Sequence, residues 1–234
     1  MKFIFKPTLW AKTITISILA INGMGYGGAY MLTHYRSDNH LSFGISRPEN
    51  YRSPRDFNLP YSNKQIPINK SEWLDTWLIR SKQSNSLGTV ILFHGKGSTK
   101  SSLLAVAKEF HLLNYDTLLV DFRGVGDSSG NKTTIGVKEA EDVAIVVNYL
   151  PELNLPKPVI LYGISMGSAA ILRAISYHDI QPDKIILELP FARLLNAVRN
   201  RLKRDYSIHH LLWGSYLFFG AEFNMDLMVL LTIQ

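Results

Sequence analysis

The sequence predicts an α/β domain in which a mostly parallel sheet carries helices on both faces. Short continuous apolar runs rich in β-branched residues recur along the chain, and such runs are typical of strands buried on both faces. Between them lie segments whose apolar residues follow the helical period, and this alternation is typical of parallel sheets. The 234 residues, 46% of them hydrophobic, suffice for one packed domain of this class.

Each element of this domain is predicted from its local pattern. An initial hairpin is predicted from two short alternating strands, at residues 65–69 and 73–79. The buried strands that follow are predicted at residues 89–93, 117–122, 158–164 and 184–189. The intervening helices are predicted at residues 101–113, 137–150 and 166–176.

The N-terminal part of the chain differs in composition from the rest. Residues 13–32 contain no charged side chain, and a helix of this length spans about 30 Å of hydrocarbon. Residues 1–12 are basic, and residues 33–62 have the proline and polar content of a linker. We therefore expect a single-pass membrane anchor at 13–32, with the following domain outside the cytoplasm. A signal peptide cleaved near residues 27–29 and a buried helix are the alternatives.

The composition excludes several classes of site. The chain has no cysteine, so it can hold neither a disulfide nor a thiolate nucleophile. Its net charge of +6 indicates a mildly basic surface, since no segment interleaves aromatic residues with a basic run as a nucleic-acid groove would. The Gly-Lys-Gly-Ser-Thr segment at 95–99 lacks the glycine spacing of a phosphate-binding loop. We expect no nucleic-acid partner, metal or cofactor, and the oligomeric state stays open.

The most specific motif is Gly-Ile-Ser-Met-Gly at residues 163–167, between a predicted strand and a predicted helix. A serine at such a junction needs a sharp turn with strained dihedral angles, and the flanking glycines leave room for it. The turn lifts the hydroxyl above the sheet, near the N-terminus of the helix. This nucleophile elbow predicts Ser165 as a catalytic nucleophile, and a glycine-rich turn with an idle serine is the alternative.

A serine nucleophile needs donors for the oxyanion that develops during acyl transfer. The main-chain N–H of Met166, the residue after the serine, is one expected donor. The second is expected from the His-Gly-Lys-Gly loop at 94–97, where the main-chain N–H of Lys96 is the candidate. His94 precedes the serine, whereas the catalytic histidine of such sites follows it, so we expect His94 to hydrogen-bond to its loop instead.

Three loops, at residues 94–97, 121–128 and 163–167, each follow a predicted buried strand. In order and spacing these loops resemble those of the α/β-hydrolase superfamily. The nearest group is that of the lysophospholipase- and serine-aminopeptidase-like hydrolases, some of which carry an N-terminal membrane helix. The similarity runs from about residue 63 to about residue 205.

The resemblance implies an α/β-hydrolase domain over residues 63–234, with a lid region from about residue 191. It implies a serine hydrolase that cleaves ester, thioester or amide bonds of small-molecule or lipid-like acyl substrates without a cofactor. It also implies that Asp121, Arg123 and Asp127 are structural residues of a turn after a core strand.

The C-terminal part departs from the family pattern. The family places its acid and its histidine after later strands, but only 44 residues follow Pro190, so we expect a hydrolase shortened at its C-terminus. Glu188 is the candidate acid, and His209 and His210 are the candidate bases. We therefore expect weak or no turnover. The alternative function is a catalytically silent, membrane-associated remnant or binding scaffold.

Overall fold

The computed structural model describes residues 9–36 and 44–191, and a six-stranded sheet lies at its centre. The strands are β1 (Tyr61–Pro67), β2 (Trp73–Ile79), β3 (Thr89–Phe93), β4 (Asp116–Val120), β5 (Val159–Ile164) and β6 (Lys184–Glu188). The α-helices are α1 (Leu9–Thr33), α2 (Leu104–Leu112), α3 (Lys138–Leu153) and α4 (Met166–Tyr177). Two short 3₁₀ helices span Pro54–Phe57 and Lys100–Leu103.

The strands follow the order β1-β2-β4-β3-β5-β6 across the sheet. Strands β4, β3, β5 and β6 are parallel to one another, while β1 pairs antiparallel with β2 and β2 pairs antiparallel with β4. The mostly parallel sheet predicted from the sequence is thus confirmed. The chain leaves β3 toward β4 on one side and later returns to β5 on the other, and ligand sites of open α/β sheets form at such switch points.

Helices cover both faces of the sheet, as the alternating pattern predicted. On one face, Ile91 and Phe93 of β3 belong to a buried cluster that also contains residues of α3 and α4. On the other face, Val90 and Leu92 belong to a second cluster that contains residues of α2. Because β3 is buried on both faces, its sequence is a continuous apolar run and not an alternation of apolar and polar residues.

The edge strand β1 begins earlier than its sequence pattern indicated. The prediction placed this strand at residues 65–69, whereas the structure pairs Tyr61 with Ile79 and Pro67 with Trp73. Most side chains of β1 are exposed, with Ile66 the buried exception. An exposed strand shows little apolar alternation, so backbone pairing with β2 sets its bounds.

The N-terminal residues form one helix of 25 residues, α1. The membrane span predicted for residues 13–32 is not supported, because within residues 9–36 and 44–191 no helix is long and apolar enough to cross a membrane. Four glycines and Asn22 lower the hydropathy of this segment. The predicted single-pass anchor is therefore unsupported. The extracytoplasmic placement of the domain depended on that anchor, so it is unsupported as well.

The compact unit that contains the sheet begins at Thr33. Residues 44–60, predicted to lie in a linker, contribute contacts to this unit. The carbonyl oxygen of Pro48 accepts a hydrogen bond from the N–H of Gly126 at 3.0 Å, and Leu59 is buried. This segment therefore packs against the loop that follows β4.

Candidate active site

Ser165 lies at the junction of β5 and α4, at the carboxyl edge of the parallel strands. Its backbone has a φ of 52° and a ψ of −107°, and a non-glycine residue held in such a region costs about 1–3 kcal/mol. The N–H of Ser165 donates to the carbonyl oxygen of Glu188 at 2.9 Å, and its carbonyl accepts from the N–H of Ala169 at 3.0 Å. Hydrogen bonds from the neighbouring strand and from the helix thus hold the strained turn.

The glycines of the motif are required by close backbone approach. A Cβ on Gly163 would lie 2.7 Å from the carbonyl carbon of Gly167, and a Cβ on Gly167 would lie 2.3 Å from the carbonyl oxygen of Phe93. Neither backbone atom can move aside without shifting α4 or β3. The tight turn, the helix and the central strand therefore depend on the absence of side chains at these two positions.

The loop after β3 passes directly beside Ser165. A Cβ built on Gly95 would lie 3.7 Å from the Cβ of Ser165 and 3.5 Å from the carbonyl oxygen of Ile164. Lys96, the predicted second oxyanion donor, is the next residue of this loop, and Met166, the predicted first donor, begins α4. The fold thus brings the chain segments of all three predicted residues to the same edge of the sheet.

The side chains of this loop are partly removed from water. Lys96 is half-buried, and burial lowers the pKa of its ammonium group against the opposing effect of Glu139. His94 is fully buried, and burial likewise lowers the pKa of its imidazole. The Nε2 atom of His94 accepts from the N–H of Phe122 at 3.3 Å, so we assign the proton to Nδ1, which lies 2.8 Å from the carbonyl oxygen of Gly95. His94 therefore bonds to the loops, as predicted.

The residues expected to shape the turn after β4 take part in structural contacts. The carboxylate of Asp121 accepts a hydrogen bond from the N–H of Lys100 at 2.8 Å. The guanidinium of Arg123 donates to Asp142 at 2.6 Å and to Glu141 at 3.0 Å. These contacts tie the turn to neighbouring elements.

Two residues near the site were missed by the sequence analysis. The carboxylate of Glu139, almost fully buried, accepts hydrogen bonds from the hydroxyl of Thr133 at 2.6 Å and the N–H of Gly136 at 2.7 Å. The Thr133 hydroxyl also lies 3.8 Å from Sδ of Met166. Lys100, the second missed residue, is fully buried. A glutamate at the first turn of a helix and a lysine after a glycine-rich loop are both common on surfaces, so nothing in the pattern indicated their burial.

Glu188, the candidate acid, lies at the end of β6 and is engaged in two ways. Its carboxylate accepts a hydrogen bond from the hydroxyl of Tyr162, a residue of the cluster that faces α2. Its carbonyl oxygen accepts from the N–H of Ser165 at 2.9 Å and from the hydroxyl of Ser168 at 2.8 Å. The main chain of Glu188 thus supports the turn, while its carboxylate already has a partner.

A conservative substitution distinguishes these roles of Glu188. We expect Glu188→Gln to change the rate of Ser165 modification by no more than about twofold, because the amide oxygen can still accept from Tyr162 and the main-chain contacts are unchanged. If the carboxylate orients a catalytic histidine, the loss should approach about 10⁴-fold. The measurement is the rate of modification by a fluorophosphonate probe.

The candidate bases His209 and His210 lie outside the described residues. His178, the other histidine after Ser165, follows the last residue of α4. The 12 residues of α4 separate it from Ser165, and a helix of that length extends about 18 Å. His178 is therefore placed away from the serine, and the base stays a prediction.

Comparison with known proteins identifies relatives of similar sequence. Protein bem46 of Schizosaccharomyces pombe is 25% identical over 154 residues, which cover 64% of this chain and 51% of that protein. The lysophosphatidylserine lipase ABHD12 of Danio rerio is 28% identical over 129 residues, which cover 53% of this chain and 33% of that protein. The chain thus spans about half of the length of the first relative and about a third of the length of the second.

A solved structure shares the fold. The Pyrococcus furiosus esterase Pf2001 superimposes with a TM-score of 0.63 at 25% sequence identity, over 75% of this chain and 66% of the esterase. The family described as serine aminopeptidase, S33, matches residues 84–212, which include β3, β4, β5, β6 and the loops that follow them. Since this match covers more than half of the 234 residues, the chain belongs to the serine aminopeptidase S33 family and has the α/β-hydrolase fold.

Proposed function

We propose that this chain is a serine hydrolase that cleaves ester, thioester or amide bonds of small-molecule or lipid-like acyl substrates, with Ser165 as its nucleophile. The conformation of Ser165 carries this proposal. Ser165 combines a φ of 52° with a ψ of −107° at a strand-to-helix junction, between two glycines with no room for a side chain. This combination is the strained turn of a nucleophile elbow, and such strain is concentrated at functional sites. An elbow of this kind exposes the serine hydroxyl to a substrate above the sheet.

The proposed reaction proceeds in two stages. Oγ of Ser165 attacks the acyl carbon, the carbonyl oxygen takes the negative charge, and collapse of this intermediate expels the leaving group. The main-chain N–H groups of Met166 and Lys96 stabilise the oxyanion, and the N-terminus of α4 adds its positive potential. Water then hydrolyses the acyl-enzyme. His209 or His210 is the proposed base that takes the serine proton.

The proposed substrate class follows from the relatives. One relative is named a lysophosphatidylserine lipase and a structural neighbour is named an esterase, so both act on acyl compounds. The chain spans only 33% of the first protein and 66% of the second. That it acts on the same class of substrate is therefore part of the proposal.

Covalent labelling tests the proposal. The purified chain is incubated with a fluorophosphonate probe, and the modified serine is located by peptide mass spectrometry. We expect a single adduct on Ser165. A protein that acts only as a binding scaffold needs no activated serine, so the absence of an adduct, or an adduct elsewhere, would reject the nucleophile assignment.

Turnover is a separate question from labelling. Hydrolysis of p-nitrophenyl acetate tests the proposed base. Without a base that reaches Ser165, an oxyanion hole retains only about 10³–10⁴-fold acceleration over water, whereas a kcat of about 1 per second or more would show that a base is in place. Substitution of His209 and of His210 by alanine would then show which of the two takes the serine proton.

A further inference from the structure

A fully buried lysine lies directly behind the loop that carries the proposed oxyanion donor. Lys100 begins the 3₁₀ helix that follows this loop, and none of its surface is exposed. Its Nζ lies 2.7 Å from Oδ2 of Asp75 and 2.5 Å from Oδ2 of Asp121. Nζ also lies 4.6 Å from the centroid of the Trp77 ring, within the range of a cation–π contact. Two carboxylates and an aromatic face thus compensate a charge that burial alone would disfavour.

The carboxylate of Asp121 binds both the main chain and the side chain of Lys100. Oδ1 of Asp121 accepts the main-chain N–H of Lys100 at 2.8 Å, while Oδ2 accepts from Nζ. The side-chain amide of Asn50 donates to the same Oδ2 at 2.9 Å. Asp121 directly follows β4, so these hydrogen bonds attach the end of the loop at 94–99 to the end of a central strand.

The ammonium of Lys100 balances the negative charge of the acidic residues around it. Asp75, Asp121 and Asp127 bring carboxylate oxygens within 4.8 Å of one another, a grouping that could hold a cation. The ammonium of Lys100 contacts all three, with Oδ2 of Asp127 at 3.5 Å from Nζ. The cation of this cluster is therefore the side chain of Lys100.

The loop needs such an attachment because of its sequence. Gly95 and Gly97 flank Lys96, and glycine leaves the backbone free to adopt many conformations. An oxyanion donor acts only when its N–H is held at about 2.7–3.1 Å from the developing charge, and a displacement of about 1 Å can cost about 100-fold in rate. The buried ring of His94 contacts the main chain at one end of the loop. At the other end the main-chain N–H of Lys100 donates to Asp121, whose carboxylate also binds the ammonium of Lys100.

We propose that Lys100, paired with Asp121, is a positioning residue that holds the loop at 94–99 against Ser165, so that the main-chain N–H of Lys96 faces the developing oxyanion. This inference rests on the proposed function. Lys100 does not touch the substrate. Its effect passes through the main chain of the loop, so loss of its ammonium should slow the chemical step without weakening encounter with the substrate.

The test measures phosphonylation of Ser165 at increasing concentrations of a fluorophosphonate probe in Lys100→Met. We expect the maximal phosphonylation rate to fall about 10–100-fold relative to the wild-type chain. The probe concentration that gives half of this rate should stay within about twofold of the wild-type value. In the same variant, hydrogen–deuterium exchange of the peptide that covers residues 95–99 should become at least about tenfold faster. The exchange measurement does not depend on activity.

Two further variants keep the inference falsifiable. Arg80→Met removes the cation from Asp116, a buried carboxylate at the opposite end of β4, although the side chain of Arg80 itself is 54% exposed. This variant therefore controls for the loss of a cation from a buried carboxylate away from the site, and it should change neither the phosphonylation rate nor exchange at 95–99. If Lys100→Met does not fold, Asn50→Ala removes a milder contact to Asp121 and should slow phosphonylation about fivefold.

The outcomes separate the two proposals. Unchanged rate and exchange in Lys100→Met, or an equal loss in Arg80→Met, would overturn the positioning role. A wild-type chain that is never labelled would reject the proposed function instead, and faster exchange at 95–99 in Lys100→Met would still support the attachment of the loop.

Discussion

Replacement of Ser165 by alanine should abolish covalent labelling by a fluorophosphonate and reduce ester hydrolysis to no more than the residual rate that an oxyanion hole alone supports, about 10³–10⁴-fold above water. The hydroxyl is the only group of this residue that can form the acyl or phosphonyl bond, and alanine removes it while the backbone bonds to Glu188 and Ala169 remain. Gel fluorescence of the labelled protein and release of p-nitrophenol measure the two effects. Labelling that survives the substitution would place the reactive serine elsewhere.

Ser176→Ala is the matched control for this substitution. Ser176 lies on α4, the helix that follows Ser165, but its exposed hydroxyl donates to the carbonyl oxygen of Leu172 at 2.9 Å. We expect full labelling in this variant. Loss of labelling in both variants would indicate that disturbance of α4, and not loss of the nucleophile, explains the result.

The strain at Ser165 adds a stability measurement to the same series. Glycine adopts positive φ without a steric penalty, so Ser165→Gly should be more stable than Ser165→Ala by about 1 kcal/mol, although both are inactive. Thermal unfolding measures the difference. Equal stability of the two variants would show that the backbone at this position is not strained.

The second large effect is expected for Gly167→Ala. The added Cβ would meet the carbonyl oxygen of Phe93 at 2.3 Å and that of His94 at 3.0 Å, so α4 must shift away from the end of β3. Such overpacking costs about 1–3 kcal/mol of unfolding free energy. The same shift separates Met166 from the loop at 94–99, so phosphonylation of Ser165 should slow about 100-fold. Thermal unfolding and labelling rate measure the two consequences.

Gly27→Ala is the control for an added methyl group. Gly27 lies within α1, and a Cβ built there meets no atom within 4 Å. Alanine also favours a helix over glycine by about 1 kcal/mol, so neither labelling nor stability should decrease. A Gly167→Ala variant as stable and as reactive as wild type would contradict the close packing of α4 on β3.

In the N-terminal segment the predicted helix is present, but the predicted membrane span is not supported. The helix predicted there is present as α1, because a long run without proline or charge favours a helix locally. Its assignment as a membrane span depended on length and absence of charge, whereas spanning also requires high hydropathy. Glycines and polar residues lower the hydropathy of this segment, and the described part of the chain has no helix that meets the requirement.

The sequence by itself determined the order of the parallel strands along the chain, the elbow at 163–167 and the expectation that His94 bonds to its loop. These features depend on local patterns, such as continuous apolar runs and glycines two residues either side of a serine. Such patterns act through the backbone of neighbouring residues, so they can be read before any tertiary contact is known.

Only the tertiary structure decided which distant residues lie around the elbow and the loop beside it. The contact of Gly167 with Phe93 and the burial of Lys100 between Asp75 and Asp121 join residues 21 to 74 positions apart in the chain. Parallel pairing brings the ends of β3, β4 and β5 to one edge of the sheet, and the antiparallel pairing of β2 with β4 brings Asp75 to the same place. No local pattern marks a lysine as buried, since its burial depends on carboxylates that other strands supply.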